Sequence, residues 1–282
     1  MKIGICCIVK QENLYLREWV KYYYDMGVTK IVLYDNNDVN GEYPQQVIGD
    51  YIADGFVDYK NARGFYRYQI EAYNQCYKEY KHEFDWIGFL DVDEYWYLSP
   101  EYTFDTFFSE ERLPNAYAVF INWLCYGDNN KIHYEPKPIQ ERFKTPTYPL
   151  DFVDKNGSVV NKIKKMFLKC SDKVDFSIDE VDDVTFYTDI DEVKAYMANG
   201  ELYDYNKITY DISVIKHYRT LTIEEFLYRR FGRGGYADLT SSFNYDVVMN
   251  VFWSQNKWTA EKQEIINDFF NNFTIVEDNR VI

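Results

Sequence analysis

The chain has few of the features that would tie it to nucleic acid or to an oxidising compartment. It carries 31 Lys and Arg against 46 Asp and Glu, which gives a formal net charge of −15. This surplus of acid excludes a broad basic face of the kind that nucleic acid or anionic lipid requires. The five cysteines are an odd number without a C-x-x-C pair, so they predict neither a disulfide framework nor a zinc site.

Long apolar runs are also missing. No stretch approaches the roughly 18 apolar residues that a membrane helix needs, and the apolar run at 3–9 is too short for a signal-peptide core. The sequence therefore predicts no transmembrane segment and a cytoplasmic protein, soluble or peripheral at a membrane. At 282 residues, 46% of them hydrophobic, the chain is long enough to bury a substantial core.

Aromatic side chains are unusually frequent, at 20% of the residues with 29 Tyr and 20 Phe. Tyrosine offers an apolar face and a hydrogen-bonding tip, which suits surfaces that bind sugars. Packing in the core is the commoner use of these side chains, so the composition alone decides nothing about ligands.

The most informative stretch begins at Asp85 and reads DWIGFLDVDEYWYL. Its unbroken apolar part, 86–90, is typical of a strand buried on both faces of a sheet. Asp91 and Asp93 follow, and because side chains alternate along a strand we expect both carboxylates on one side, as ligands of a divalent cation. Acidic triplets also arise by chance in so acidic a chain, and 189–191 is a second one, so a plain acidic strand end is the alternative.

The order of elements in the first hundred residues favours a mostly parallel α/β sheet. Strand-like segments alternate with helical periodicity, and the predicted strands are 3–9, 30–35, 56–59 and 86–90. Such alternation implies βαβ units with helices on both faces. Ligands bind outside the carboxyl ends of strands in these sheets, and all the loops expected there carry polar or charged groups. Those loops are 10–13, 35–40, 62–67 and 91–94.

Beyond Pro100 the pattern changes. An irregular segment at 126–149 holds four of the seven prolines, which is typical of a lid or a binding loop. We expect the acidic stretch at 172–191 to be solvated. The further predicted strands are 116–123, 162–169 and 209–216, and the further predicted helices are 104–110, 223–230, 245–253 and 260–269.

Four stretches resemble the glycosyltransferase family 2-like and family 92 group, whose nucleotide-sugar fold is called GT-A. They are IVKQE at 8–12 with LREW at 16–19, IVLYDN at 31–36, WIGFLDVDEY at 86–95, and HYRT at 217–220 with EEF at 224–226 and Arg233-Gly234. A weaker match is WLCYG at 123–127 with ERF at 141–143. The sequence departs from the family pattern at Gln11, where Asn is usual, at Tyr95, where Phe is usual, and after Gly127, where Asp-Asn-Asn replaces small Ser and Gly.

The resemblance implies a GT-A, Rossmann-like, mostly parallel sheet flanked by helices over residues 1–220, with a donor half at 1–100 and an acceptor half at 101–220. A helical C-terminal region at 221–282 is expected to pack on the same domain. The implied reaction moves a sugar, with galactose from UDP-galactose as the first guess, from a nucleotide diphosphate to a hydroxyl of a glycan or lipid-linked glycan. Surface polysaccharide synthesis is the implied setting.

The resemblance also implies a metal, Mn²⁺ or Mg²⁺, that bridges the two phosphates and is held by Asp91 and Asp93. His217 is the candidate third ligand, because it matches a family histidine and imidazole binds Mn²⁺ acceptably. A packing role is the alternative for this histidine.

Other candidates for the donor site lie at the ends of strands and before a helix. Glu12, Asp35 and Asn36 end the first two strands, where the fold holds base and ribose, and capping of the next helix is the alternative. Arg67 and Gln69 precede the third helix and are candidates for contacts with the diphosphate or the donor sugar.

An inverting transfer needs a general base that takes the proton of the acceptor hydroxyl. Asp128 and Glu141 flank the segment that matches the family's acceptor side, and the sequence does not separate them. Glu94 should point away from Asp93 and is expected to be structural. A retaining enzyme would lack such a base, and the choice of inversion comes from the family.

Two other functions fit parts of the pattern. A sugar nucleotidyltransferase would share the sheet and the carboxylates, but it should carry a glycine-rich basic loop after the first strand, and residues 10–13 contain no glycine. A non-catalytic glycan-binding protein would use the tyrosines and need no metal.

Overall fold

The computed structural model describes residues 1–147, 163–172, 174–180, 183–188, 194–232 and 245–272. Arg233 and Gly234 of the family resemblance lie outside these ranges. The described elements are β1 (Ile3–Val9), α1 (Asn13–Met26), β2 (Lys30–Asp35), α2 (Gln45–Ala53), β3 (Val57–Asn61), α3 (Gln69–Tyr80), β4 (Trp86–Phe89), β5 (Glu94–Leu98), α4 (Phe104–Phe107), β6 (Ala116–Cys125), α5 (Ile139–Arg142), β7 (Lys164–Lys169), β8 (Val174–Glu180), β9 (Asp183–Thr188), β10 (Lys194–Met197), β11 (Ser213–His217), α6 (Ile223–Leu227), a π-helical turn (Tyr228–Gly232), α7 (Tyr245–Gln255) and α8 (Ala260–Asn272).

The main sheet has the strand order β3-β2-β1-β4-β7-β6-β11-β5, and β10 pairs with β6. The pairs β1–β2, β2–β3, β1–β4 and β6–β10 are parallel, whereas β7 runs antiparallel to both β4 and β6. Ile5 at the middle of β1 faces Ile31 on one side and Gly88 on the other. This mostly parallel sheet with helices around it confirms the predicted α/β class.

Helix α1 fixes the beginning of β5. Its apolar stripe, which includes Trp19 and Tyr23, is fully buried, and the helix ends at Gly27, whose φ of 87° suits a residue without a side chain. The Trp19 indole N–H and the Tyr23 hydroxyl both donate to the carbonyl of Glu94, at 2.8 and 3.0 Å. The Tyr23 hydroxyl also accepts the backbone N–H of Trp96 at 2.8 Å. Side chains of α1 therefore hold the backbone of the chain immediately after the acidic motif.

Glycine at position 88 lets β7 dock against β4. A Cβ built on Gly88 would lie 2.4 Å from the ring of Phe167, which belongs to the facing strand β7. Real Cβ atoms essentially never approach another heavy atom this closely, so any larger residue at 88 would push the ring and its strand away.

Two parts of the sequence prediction were wrong in this region and beyond it. β4 ends at Phe89, and residues 91–93 form the turn that leads into β5, a strand that the sequence reading missed. Strand alternation therefore does not set the directions of Asp91 and Asp93. The stretch at 172–191, where the sequence reading expected no strand, contains the antiparallel hairpin β8–β9.

The hairpin forms because its acidic residues alternate with apolar ones, a pattern that fits a strand with one covered face. Ile178 of β8 is buried, and its backbone N–H and carbonyl exchange hydrogen bonds with the Asn74 amide of α3, both at 2.9 Å. The Asn74 side chain thus makes the two backbone hydrogen bonds that a neighbouring strand would otherwise make to Ile178. β10 was also missed by the sequence reading.

Element bounds differ from the prediction mainly at the ends of elements. Gln69, expected just before the third helix, is the first residue of that helix, and the helix predicted at 104–110 ends at Phe107. The strand expected at 209–216 covers Ser213–His217, and α6 ends at Leu227 before a π-helical turn.

The chain divides into two compact units, the first made of residues 1–124 and 161–216 and the second of 125–160 and 217–282. The second unit thus takes in the segment at 125–160 as well as the C-terminal helices. Its core contains Ile223, Phe226, Leu227, Met249, Phe252 and Ile266. The predicted boundary at 220 lies close to the division at 216, and the packing of residues 221–282 on the same domain stays a prediction.

A buried bidentate ion pair links α5 to α6 within the second unit. The Arg142 guanidinium donates to both oxygens of Glu225 at 2.8 Å, and neither side chain is more than 2% exposed. Glu225 also completes a capping box with Thr222 at the start of α6. In the part of the chain that the structure describes, no helix is both long and apolar enough to cross a bilayer.

Candidate functional site

Four parallel strands of the first unit direct their carboxyl ends to one edge of the sheet. β1, β2, β3 and β4 run parallel, so the loops that follow them meet at that edge, as the sequence predicted. The candidates Glu12, Asp35, Asn36 and Asp91 follow or end these strands. Topology therefore gathers them at the place where sheets of this class bind ligands.

Asp91 is the most accessible carboxylate of the acidic turn, with 34% of its side chain exposed. Its Oδ2 accepts a hydrogen bond from the Lys165 ammonium at 2.9 Å. Its Oδ1 has longer contacts, accepting from the Gln69 amide at 3.3 Å and from the Tyr73 hydroxyl at 3.5 Å. Gln69, predicted near the donor, thus lies beside Asp91.

Lys165 is a buried cation beside the acidic turn, which the sequence suggested only as part of a basic cluster at 162–165 that could contact phosphate. Its side chain is 1% exposed, and the ammonium lies 2.9 Å from Asp91 Oδ2 and 3.2 Å from Glu94 Oε2. Lys165 stands on β7, 74 residues beyond Asp91, so sequence proximity gave no hint of the contact. The sequence feature that could have indicated this contact is the pair of lysines at the start of an otherwise apolar strand.

Glu94 is fully buried behind the turn. Its Oε2 accepts the backbone N–H of Asp91 at 2.9 Å, which fixes the turn from within. Burial raises the pKa of Glu94 well above its ordinary value, and the charges of Asp91 and Asp93 raise it further while Lys165 opposes the shift. The geometry agrees with the expectation that Glu94 has a structural role.

The acidic turn carries two aspartates, and carboxylate oxygens are the ligand type that Mn²⁺ and Mg²⁺ take. The Asp91 side chain is partly exposed, whereas Asp93 is buried, at 6% exposure. Among the described residues no cluster of three or more His, Cys, Asp or Glu is arranged to hold a metal ion. A Mg²⁺ site can consist of one or two carboxylates with substrate phosphates and water, and a metal at this turn stays a prediction.

Asp35 is a buried hub that shapes the loop after β2. Its carboxylate accepts hydrogen bonds from the Asn37 backbone and amide at 3.0 and 2.6 Å, from the Tyr59 hydroxyl at 2.7 Å and from Arg63 at 2.7 Å. Arg63, which the sequence reading missed, also donates to the backbone carbonyls of 38, 41 and 42. Asp35 does not cap α2, so the alternative of a helix cap does not describe it.

The other candidates at this edge have less elaborate surroundings. Asn36 donates from its amide to the carbonyls of Ala62 and Phe65, both at 2.8 Å, which joins two of the loops. Glu12 is buried at the N-cap position of α1 but makes no side-chain capping bond. Arg67 has a left-handed φ of 50° and lies over the ring of Tyr66.

The remaining candidates belong to the second unit. His217 is buried at the end of β11, and its carbonyl accepts the Tyr126 N–H at 2.9 Å. Asp128 is buried in an ion pair with Lys262, and its Oδ1 accepts the Asn130 N–H at 2.8 Å. Glu141 is exposed on α5. The two candidate bases therefore differ sharply, one being neutralised by a buried lysine and the other open to solvent.

Comparison with known proteins places these features in a wider group. The sequence model described as glycosyltransferase family 92 matches residues 2–272. The chain is 26% identical over 127 residues to glycosyltransferase family 92 protein At1g27200 of Arabidopsis thaliana, covering 45% of this chain and 22% of that one. It is 29% identical over 128 residues to the galactan beta-1,4-galactosyltransferase GALS1 of the same plant, covering 41% and 26%.

A solved structure, S. aureus TarS 1-349, matches with a TM-score of 0.36 and 14% identity over 60% of this chain and 47% of that one. The chain thus spans about a quarter of the length of the curated relatives that it matches.

Proposed function

Because the chain belongs to glycosyltransferase family 92, we propose that it transfers a sugar from a nucleoside diphosphate donor to a hydroxyl of a glycan acceptor. The observation that carries the proposal is the partly exposed Asp91 in the acidic turn, at the edge where four parallel strands end. Sheets of this class bind nucleotides at that edge. The cytoplasm remains the predicted compartment.

The likeness to a galactosyltransferase supports galactose as the first sugar to test, with UDP-galactose as donor. The acceptor that we propose is a glycan or a lipid-linked glycan of a surface polysaccharide. The strong excess of acid argues for a donor held at a few points rather than over a basic face.

We further infer that Asp91 and Asp93 hold Mn²⁺ or Mg²⁺ together with the donor diphosphate. The role of His217, a residue of the second unit, as a third ligand stays a prediction. A bound cation of this kind neutralises the charge that develops on the departing nucleoside diphosphate. Lys165 holds Asp91 in place from behind, and the backbone bond to Glu94 fixes the turn. The chain therefore keeps its accessible carboxylate oriented before any donor arrives.

The loop after β2 serves the other end of the donor. We propose that Glu12 and Asn36 contact the base and ribose and that Arg67 and Gln69 contact the diphosphate or the donor sugar. Asp35 is fully buried, so it shapes this loop and does not reach the donor. Arg63 fixes the backbone of 38–42 through four carbonyls, those of 38, 39, 41 and 42, so the loop keeps its shape without a ligand. A pre-organised loop loses less conformational entropy on binding.

The transfer itself needs a proton acceptor near the acceptor hydroxyl. As the hydroxyl oxygen bonds to the anomeric carbon, its proton passes to a carboxylate and the bond from that carbon to the diphosphate oxygen breaks. Glu141 and Asp128 are the proposed bases. Glu141 is exposed, whereas Asp128 would first have to part from Lys262.

The test is calorimetric titration of UDP in the presence of Mn²⁺, and again with EDTA in its place. The double variant Asp91→Ala and Asp93→Ala should lose binding, whereas the same double substitution at the second acidic triplet, 189–191, should leave it unchanged. Release of UDP from UDP-galactose with mixed glycan acceptors then tests transfer. UDP binding that survives both EDTA and the double variant would contradict the assigned donor site.

A further inference from the structure

A loop of the first unit, residues 198–212 between β10 and β11, exposes three large hydrophobic side chains close together in the sequence. Leu202 is 60% exposed, Tyr203 37% and Tyr205 61%. Exposed hydrophobic residues that are scattered singly are ordinary, whereas a group of them on one segment marks a surface that binds another molecule. None of the donor-site candidates belongs to this loop.

Hydrogen bonds fix the backbone of the 198–212 loop. The Tyr203 N–H donates to the Ala195 carbonyl of β10 at 2.9 Å. The Asp204 carboxylate accepts the Asn206 N–H at 2.8 Å, which closes an Asx turn between the two exposed tyrosines and the rest of the loop. Further along, the Thr209 N–H donates to an asparagine side chain of β6 at 3.0 Å. The rings are therefore presented by an ordered loop, so a ligand that covers them has little backbone to immobilise.

The buried Lys164 supports both tyrosine rings from the sheet. This lysine is 4% exposed, and its ammonium donates to the Tyr205 carbonyl at 2.8 Å. The same ammonium lies 5.6 Å from the centre of the Tyr203 ring and 5.6 Å from the centre of the Tyr205 ring, within the range of a cation–π contact. Tyr203 also packs against the Phe120 ring of β6, with a centroid distance of 4.3 Å. Both rings are thus held from within the protein and keep exposed area towards solvent.

The register of the sheet places this support level with the acidic turn. Gly88 of β4 pairs with Phe167 of the antiparallel strand β7. Counted back from that pair, the first residue of β7, Lys164, lies level with Asp91. Neighbouring strands are about 4.8 Å apart, so the support of the tyrosine rings begins one strand away from the acidic turn.

The 198–212 loop also packs on the face of the sheet from which α3 contacts Asp91. Met166 and Lys164 share a face of β7, because side chains alternate along a strand. Met166 and Phe120 belong to the buried cluster that contains Tyr73 of α3, whose hydroxyl lies 3.5 Å from Asp91 Oδ1. The tyrosine rings and this contact of Asp91 therefore lie on the same face and at the same end of the sheet.

The strand order assigns the loop to the acceptor. The loops after β1, β2 and β3, which hold the proposed contacts with base and ribose, lie on one side of β4 and its acidic turn. β7 and β6, which carry Lys164 and Phe120, lie on the other side. A sugar that leaves a diphosphate at Asp91 thus has the nucleotide on one side and the tyrosines on the other.

A neutral sugar ring fits the chemistry of this surface. A pyranose presents C–H groups on its faces, which pack against aromatic rings, and hydroxyls around its rim, which bond to tyrosine hydroxyls. The 198–212 loop carries three acidic residues against one lysine, and Lys207 is paired with Glu201. Lys164 is buried against a carbonyl. The loop therefore lacks the exposed cations that a phosphate or a polyanion requires.

We propose that Tyr205 and Tyr203 bind one neutral sugar ring of the acceptor glycan, with the ring stacked on Tyr205. The identity of this sugar as the acceptor rests on the proposed function, whereas the binding of a neutral sugar rests on the loop itself. The site orients the acceptor beside the acidic turn without using the donor carboxylates.

The test is saturation-transfer NMR on the full chain, with methyl galactoside and lactose as neutral sugar probes and uridine as a nucleoside probe. Tyr205→Ala should weaken binding of both sugars about tenfold, which corresponds to about 1.4 kcal/mol, through the loss of one stacking surface. Tyr205→Phe keeps the ring and should bind the sugars as the wild type does. The same Tyr205→Ala protein should bind UDP with unchanged affinity.

Tyr24→Ala is the matched control. Tyr24 is a tyrosine of similar exposure, 53%, in the last turn of α1 just before β2 begins, so it lies at the opposite end of the sheet from the acidic turn. Its replacement should leave sugar binding unchanged. Thermal unfolding of each variant identifies loss of fold.

Several results would overturn the proposal. They are sugar binding that survives Tyr205→Ala, loss of sugar binding in Tyr205→Phe as well as in Tyr205→Ala, and no binding of either sugar by the wild type. Uridine binding that Tyr205→Ala removes would assign the rings to a nucleobase instead. Self-association that Tyr205→Ala abolishes, measured by analytical ultracentrifugation, would assign them to a second copy of the chain.

UDP titration on the same proteins separates this proposal from the proposed function. Metal-dependent UDP binding without binding of either sugar overturns the sugar site and leaves the proposed function standing. Sugar binding that depends on the Tyr205 ring, in a protein that does not bind UDP, overturns the proposed function and supports the loop as a glycan-binding surface.

Discussion

Replacement of Lys165 by methionine should expose the electrostatic design of the acidic turn. The ammonium lies 2.9 Å from Asp91 and 3.2 Å from Glu94, so its loss leaves the Asp91 carboxylate and the buried Glu94 carboxyl without a cation. Breaking a buried ion pair by removal of one partner costs about 3 to 5 kcal/mol. We expect Lys165→Met to lower the unfolding free energy by about 3 kcal/mol. This is the lower end of the range, because 34% of the Asp91 side chain is exposed to water.

The loss should depend on pH in a direction that Glu94 sets. The pKa of Glu94 is raised by burial, so the folded protein holds this proton at pH values where the unfolded chain has released it. Stability therefore falls as pH rises from the ordinary carboxyl pKa towards the raised one. Without Lys165 the raised pKa moves higher still, so urea unfolding in EDTA should show a larger deficit at pH 8 than at pH 5.

The same substitution should strengthen the binding of Mn²⁺ by the nucleotide-free protein. Two unit charges 4 Å apart interact by about 4 kcal/mol at an effective dielectric constant of 20. About one third of that interaction energy corresponds to a tenfold change in affinity. We therefore expect Lys165→Met to bind Mn²⁺ at least tenfold more tightly, as measured by the electron paramagnetic resonance signal of the free ion.

Lys164→Met is the matched control for both measurements. Lys164 is the neighbouring buried lysine of β7, and its ammonium donates to the Tyr205 carbonyl at 2.8 Å. Its replacement should leave Mn²⁺ affinity and the pH dependence of stability unchanged. If Lys165→Met binds Mn²⁺ no more tightly than Lys164→Met, the lysine and the metal do not share the carboxylates, and the reasoning fails.

Three further results are expected. Arg142→Met should lower the unfolding free energy by about 3 kcal/mol, because it leaves a buried carboxylate unpaired. A change below about 1 kcal/mol relative to the wild type, measured by urea unfolding, would contradict this. Gly88→Ala should cost about 1 to 3 kcal/mol in the same assay, since its methyl group collides with Phe167, and an unchanged midpoint would show that the ring moves freely. If Asp128 or Glu141 is the general base, its amide variant, Asp128→Asn or Glu141→Gln, should lower kcat by a factor of about 10² to 10⁴ in a UDP-release assay. Full kcat in both variants would exclude an inverting base at either position.

The sequence predicted β1, β2 and β4 well because they are nearly continuous apolar runs bounded by clear breaks. β1 and β2 have the predicted bounds, and the acidic motif does follow β4. β5 was missed because Asp91 and Asp93, although common turn residues, were assigned to the end of β4 as ligands, so no break was placed before EYWYL. Contacts from Trp19 and Tyr23 then fix the carbonyl of Glu94, where β5 begins. Hairpin β8–β9 was missed because its acidic composition outweighed its alternation.

The polar contacts of the site were less predictable, because they join residues far apart in the chain. Lys165 reaches Asp91 across 74 positions, and Arg63 reaches Asp35 across 28. A single sequence shows that a lysine stands in an apolar strand, yet it does not show which carboxylate neutralises it. Asp128 illustrates the same limit, since its partner Lys262 lies on a helix more than a hundred residues later.

The position of β7 in the sheet also bears on how the protein is made. β4 has β1 on one side and β7 on the other, and β7 begins only at Lys164. Chains emerge from the ribosome N-terminal part first, so while the intervening residues are synthesised β4 has an unpaired edge of apolar residues, the kind of edge that recruits other chains. Late docking of β7 covers that edge and delivers Lys165 to Asp91 in the same step. A nascent chain that stops before β7 is therefore both prone to aggregate and unable to neutralise its acidic turn.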